Sequence, residues 1–168
     1  MSACLIAVAC GNATGPAAQS PSPVTPERYV EVLCGATNDF AEAFVAGTES
    51  LGAVFPGMTA EDGKLLILDF MDTMQEAAAM FADAMRVVAP PNIQDLRALH
   101  DELIDRLDEL EAKYQALKEE VGALEIEGDA GDLFSAADPF LSEADQAGVA
   151  FEDALGAVQA QLGDPSCV

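Results

Sequence analysis

From Ile93 to Leu124 one stripe recurs every three or four positions: Ile93, Leu96, His100, Leu103, Leu107, Leu110, Tyr114, Leu117, Val121 and Leu124. A strand alternates its faces every second residue, so ten positions at this period share one side only if the backbone is helical. The spacing predicts a long, coiled-coil-like helix, about 48 Å at 1.5 Å of rise per residue. Such an element cannot bury its stripe alone. It needs partner helices or a second molecule along its length.

Three further segments supply partners. Thr25-Pro26-Glu27 reads as a helix start, with Thr25 as cap, Pro26 at the first helical position and Glu27 complementing the dipole. Val30, Leu33, Thr37, Phe40, Phe44, Gly47 and Leu51 then form its stripe. Phe55-Pro56-Gly57 marks a turn, and Thr59-Ala60-Glu61-Asp62 caps a second helix carrying Ile67, Met71, Met74, Ala78, Phe81, Met85 and Val88. Pro90-Pro91 stops it, and Asn92 with Asp95 restarts the chain as the long helix. Glu127 to Ala137 reads as a polar connection, and Asp138-Pro139 opens a fourth helix with Phe140, Ala144, Gly148, Phe151, Leu155, Val158 and Leu162. Four such stripes are most simply buried together in an all-α, antiparallel up-down-up-down four-helix bundle. With 51% hydrophobic residues, only 6% aromatic and no Trp, the 168-residue chain suits closely packed helices better than a sandwich or barrel.

Charge restricts the company this chain can keep. Thirty acidic residues oppose seven basic ones, a net charge of −23, and no Lys or Arg follows Lys118. Nucleic acid and anionic lipid surfaces are repelled by such a field. Cationic proteins, polyamines and divalent metals are attracted.

Residues 3–9 form a short apolar run ending in Ala7-Val8-Ala9-Cys10, followed by Gly11-Asn12. This segment resembles the signal of bacterial lipoproteins, although Ala7 stands where that pattern favours Leu and no Lys or Arg precedes the run. The resemblance implies removal of residues 1–9 and lipidation of Cys10 at the extracytoplasmic face of the cell membrane. Residues 10–25, with Pro16, Pro21, Pro23 and Gly15 among small polar side chains, read as a flexible tether. A helical domain over 26–168 follows. The apolar run is too short to span a bilayer, which takes about 20 residues.

Four cysteines remain to be placed. Cys4 would leave with the signal and Cys10 would carry the lipid, leaving Cys34 and Cys167 as a pair. Helix parity supports that pairing, because an even number of antiparallel helices returns the chain end to the end where the first helix began. Cys34 lies roughly 12 Å along that helix, and the tail from Gly163 to Cys167 reaches back up to about 16 Å. A disulfide there calls for an oxidising compartment.

Catalytic and metal signatures are sparse. His100 is the only histidine and occupies a stripe position, where it serves as a core or rim residue; no nucleophile or orienting carboxylate is marked by spacing. Arg97 stands three residues before it where a di-iron bundle needs Glu. Asp101, Glu102, Asp105, Asp108, Glu109 and Glu111 fall outside the apolar stripe and read as a solvated helix face. Asp129, Asp132 and Asp138 are weak calcium candidates without the frame of a calcium hand. Met71, Met74, Met80 and Met85 read as core, with an adaptable apolar pocket as the other use of such a set. Phosphate loops and nucleophile elbows are absent from the sequence. The expectation is a non-enzymatic envelope lipoprotein without cofactor that binds a protein partner, cationic in chemistry. The alternative is an extracytoplasmic bundle for divalent cations or a small apolar ligand.

Overall fold

The computed structural model describes residues 22–52, 57–163, 165 and 167. Within them are four helices and no named strand: α1 (Pro26–Leu51), α2 (Ala60–Arg86), α3 (Leu96–Ala123) and α4 (Ala130–Gln161). The signal-like residues 1–9, Cys10, most of the tether and the Phe55-Pro56 pair lie outside the described residues.

Local chemistry sets the helix starts. The Thr25 hydroxyl accepts the Arg28 N–H, with Pro26 and Glu27 in the first turn as expected. The Thr59 hydroxyl accepts the Asp62 N–H at 3.1 Å and donates back to the Asp62 carboxylate at 2.7 Å, so cap and first turn lock each other.

Two boundaries differ from the sequence reading. The long helix does not begin at Asn92: residues 92–95 make a tight turn, and Asp95 sits in the left-handed region (φ 62°) with no side-chain cap. The fourth helix does not begin at Asp138 but at Ala130, two turns earlier, with Pro139 inside it. Asp129 is the reason: its carboxylate accepts the N–H groups of Gly131 and Asp132, and the preceding Gly128 (φ 138°) reverses the chain at a φ that disfavours a side chain. Leu133 and Ala137, both buried, carry the stripe upstream through the proline.

α1 packs on α2, α2 on α3 and α3 on α4, with α2 also touching α4. All eight α3 stripe residues from Leu96 to Val121 are buried, as is the α2 stripe from Ile67 to Val88. Hydrogen bonds tie the ends into two groups. At one end the Val24 N–H donates to the Ala89 carbonyl and the Gln161 side-chain amide donates to the Gln94 backbone carbonyl. At the other, Ala60 and Ala130 donate to Gly128 and Met58 while Lys64 donates to the Leu124 carbonyl. Gly47 lets α1 approach α2 closely, since a Cβ there would lie 2.7 Å from the Phe70 ring. Cys34 and Cys167 form a disulfide, Cα–Cα 4.6 Å, across 133 residues of chain. It fastens the tail to the third turn of α1.

Candidate functional site

Among the described residues, no Cα of α1 comes within 8 Å of a Cα of α4. The two helices are bridged instead by aromatic tips: Phe40 lies 5.1 Å from Phe151 and 6.3 Å from Phe81, ring centre to ring centre, and Phe81 and Phe151 close the trio at 5.6 Å. Edge-on and tilted contacts at these separations are favourable. The trio forms a septum with a depression on either side, and Phe40 and Phe81 line both.

On the α1–α2 side is a cleft of about 470 Å³ whose walls mix Arg28, Glu31, Asp39 and Glu76 with Val32 and Met80. Between α1 and α4 is a groove of about 400 Å³ with a largely apolar surface, open to solvent on its outer side. Met74, Leu110 and Tyr114 form its floor, and Phe44, Val45 and Val149 its rim. The rim residues are 49%, 53% and 51% exposed, so three large apolar side chains stand half in water around one depression. The charged side chains lining it, Asp145 and Glu152, are both acidic. The Tyr114 phenol beneath is pushed up to about 12, chiefly by burial and then by Asp145, and stays protonated.

The sequence candidates scatter. His100 is buried and its Nδ1 lies 2.9 Å from the Tyr29 hydroxyl, joining α3 to α1 through the core. Burial lowers the ring's pKa against the opposing pull of Asp101, while burial raises that of the Tyr29 phenol, so a neutral ring faces a protonated hydroxyl that can donate to it. His100 lines neither depression. Asp101, Glu102, Asp105, Asp108 and Glu109 are exposed and Glu111 is half-buried; Asp108 pairs with Arg86, and Arg106 pairs with Glu102 and Glu109. Asp129 is occupied as a helix cap, Asp132 lies in the first turn of α4 and Asp138 lies exposed further along it. No three His, Cys, Asp or Glu side chains converge as a metal site among the described residues. Met71 and Met85 are core, Met74 floors the groove and Met80 is exposed beside the α1–α2 cleft.

The sequence reading missed Tyr29, which is wholly buried while Val30, in the predicted stripe, is only half-buried. It also missed the rim. Val45 and Val149 are apolar residues adjoining stripe positions Phe44 and Gly148, a signal visible in the sequence once the stripe is drawn. Comparison with protein-family models, curated proteins and solved structures found no match to this chain.

Proposed function

We propose that this chain is a non-enzymatic binding module of the bacterial cell envelope, exported and held at the extracytoplasmic face by lipid on Cys10. Its scaffold is an up-down-up-down bundle with a coiled-coil-like third helix, a reading supported by the short connections and by the way the helix ends group in hydrogen bonds. The observation that carries the binding role is the open apolar groove between α1 and α4, rimmed by half-exposed Phe44, Val45 and Val149. Exposed apolar side chains gathered around one depression mark interaction sites more often than isolated ones do. The Cys34–Cys167 disulfide supports the location, because such bonds persist in oxidising compartments. The net charge of −23 favours a cationic protein partner and opposes nucleic acid.

The size and lining of the groove favour one second reading, a small apolar ligand. The divalent-cation alternative gains no such support, since Asp129, Asp132 and Asp138 do not converge. Expression in a bacterial host with labelled palmitate, followed by recovery of partners from envelope extract at low and high salt, tests the main reading. Label lost on Cys10→Ser and a partner released by salt are expected. An unlabelled chain that stays in the cytoplasm overturns the assignment.

A further inference from the structure

The groove's neighbours point to the chemistry of what fills it. Its α4 wall runs from Ala144 to Leu155, about 16 Å of helix, or three turns. α4 contains no Lys or Arg, and α1 contains only Arg28, which lines the other cleft. Beside the groove stand acidic groups: Asp145 and Glu152 from α4, with Glu42 and Glu49 adjoining Val45 on α1. An apolar trough three turns long between acidic banks is the complement of an amphipathic helix whose apolar stripe is flanked by Lys or Arg.

Other occupants fit less well. A second copy of this chain would bring its own net charge of −23 against the same banks. Anionic amphiphiles meet the same repulsion. A small neutral molecule matches the size and apolar lining of the groove but makes no use of the acidic groups beside it. We infer that the α1–α4 groove is a docking site for a cationic amphipathic helix of a partner protein, its apolar stripe seated over Met74, Tyr114 and Phe151 and its basic flanks beside Asp145 and Glu152. This deepens the binding-module reading and rests on it for the partner's existence.

The test uses the full oxidised chain and synthetic peptides of about four helical turns, followed by fluorescence anisotropy and calorimetry. One peptide has Leu at alternating three- and four-residue spacing with Lys elsewhere. The second replaces Lys by Glu, and the third scrambles the Lys peptide so that no stripe remains. Gly148 lines the groove and a Cβ there meets nothing within 4 Å, so Gly148→Leu projects an apolar side chain into the groove from a position with room for its first atom, and a urea titration of the variant checks that it folds. Asp145→Lys with Glu152→Lys reverses the bank, and Glu119→Lys with Glu120→Lys makes the same charge change on α3 away from the groove.

The Lys peptide is expected to bind the parent chain, gain helicity, and weaken about tenfold or more with Gly148→Leu or with the bank reversal. The α3 control is expected to retain most of the affinity. Equal binding of the scrambled peptide, equal binding of the Glu peptide, or indifference to Gly148→Leu overturns the inference. Binding of an apolar dye that Gly148→Leu abolishes, without peptide binding, overturns it in favour of a small ligand. Groove-mediated self-association without peptide binding overturns it in favour of a second copy. These results leave the Cys10 lipid and envelope recovery untouched, so failure of the helix inference is separable from failure of the envelope reading.

Discussion

The α2–α3 seam and the α1–α4 seam are built from the same kind of helix and close in opposite ways. Along α2–α3 the backbones lie close, and Ile67, Met71, Met74 and Met85 share one core with Leu103, Leu107, Leu110 and Leu117. Salt bridges reinforce that side, since Arg86–Asp108 and Lys118–Asp72 join α2 to α3 and Lys113–Glu143 joins α3 to α4. Among the described residues no ion pair joins α1 to another helix. Among the described residues α1 reaches α4 through side chains such as Phe40 and Phe151 without close backbone approach, and it is fastened by a disulfide to the tail beyond α4. The closed seam is the scaffold. The open one leaves apolar surface in water, which folding alone does not reward, and the proposed binding is assigned to it for that reason.

The largest effect expected from this contrast is at the staple. Cys34→Ser with Cys167→Ser should destabilise the chain by up to about 5 kcal/mol in the chain-entropy model for a loop of this length. Urea titration with and without reductant measures it. Loss of protection from amide exchange concentrated in α1 would sharpen the contrast, and uniform loss across all four helices would break it. Next comes the closed seam, where Leu107→Ala removes a wholly buried side chain and should cost about 3 kcal/mol. An equal cost for Ala at half-exposed Phe44 would erase the distinction between the seams.

Third is the place where α1 does close on α2. Gly47→Ala would set a Cβ 2.7 Å from Phe70, a ring also in contact with Phe44 and Tyr114, and should cost about 1–3 kcal/mol in thermal unfolding despite the better helix propensity of Ala. A stabilised variant would show that α1 shifts freely against α2.

How far the sequence announces this arrangement depends on what each residue type reports. In α3 the stripe is strict and its core positions from Leu96 to Val121 are all buried, because one face is apolar and the other densely charged. In α1 the pattern is weaker, and Tyr29 rather than Val30 turns inward because its hydroxyl finds His100, a partner 71 residues away that no local period encodes. Pro139 and the Gly-Asp run before it resemble a terminator locally, yet Asp129 caps a helix that continues through the proline. The cysteine pair follows from parity and reach. The groove does not: periodicity shows which face of a helix is apolar, while the distance between two such faces is set by Phe40, Phe81 and Phe151 meeting at their edges.

Fourth in size is the polar tie across the core. Tyr29→Phe leaves the buried His100 Nδ1 without its partner and should cost about 1–2 kcal/mol. Its pH signature separates it from simple loss of packing. Burial lowers the His100 pKa, so the unfolded chain binds the proton more readily, and stability is expected to fall as pH drops below about 6.5. Burial raises both phenols, Tyr114 to about 12, so their contribution is intact below about pH 10 and falls as pH rises above it, that of Tyr114 being lost through pH 12. Urea midpoints across pH, read beside phenolate absorbance, check both limbs. An acid limb unchanged in His100→Gln would show that this ring does not cause it.

The smallest expected effect bears most directly on the open seam. Val45→Ser and Val149→Ser replace side chains 53% and 51% exposed, and each should change unfolding free energy by no more than about 0.5 kcal/mol. Both residues nevertheless present apolar surface to water beside a groove that their own fold leaves unfilled. If the substitutions are silent in urea titration yet weaken binding of the Lys peptide, the apolar rim serves binding rather than folding. If either costs as much as Leu107→Ala, the rim is buried in the folded chain in solution, the α1–α4 seam is closed, and the two seams are alike.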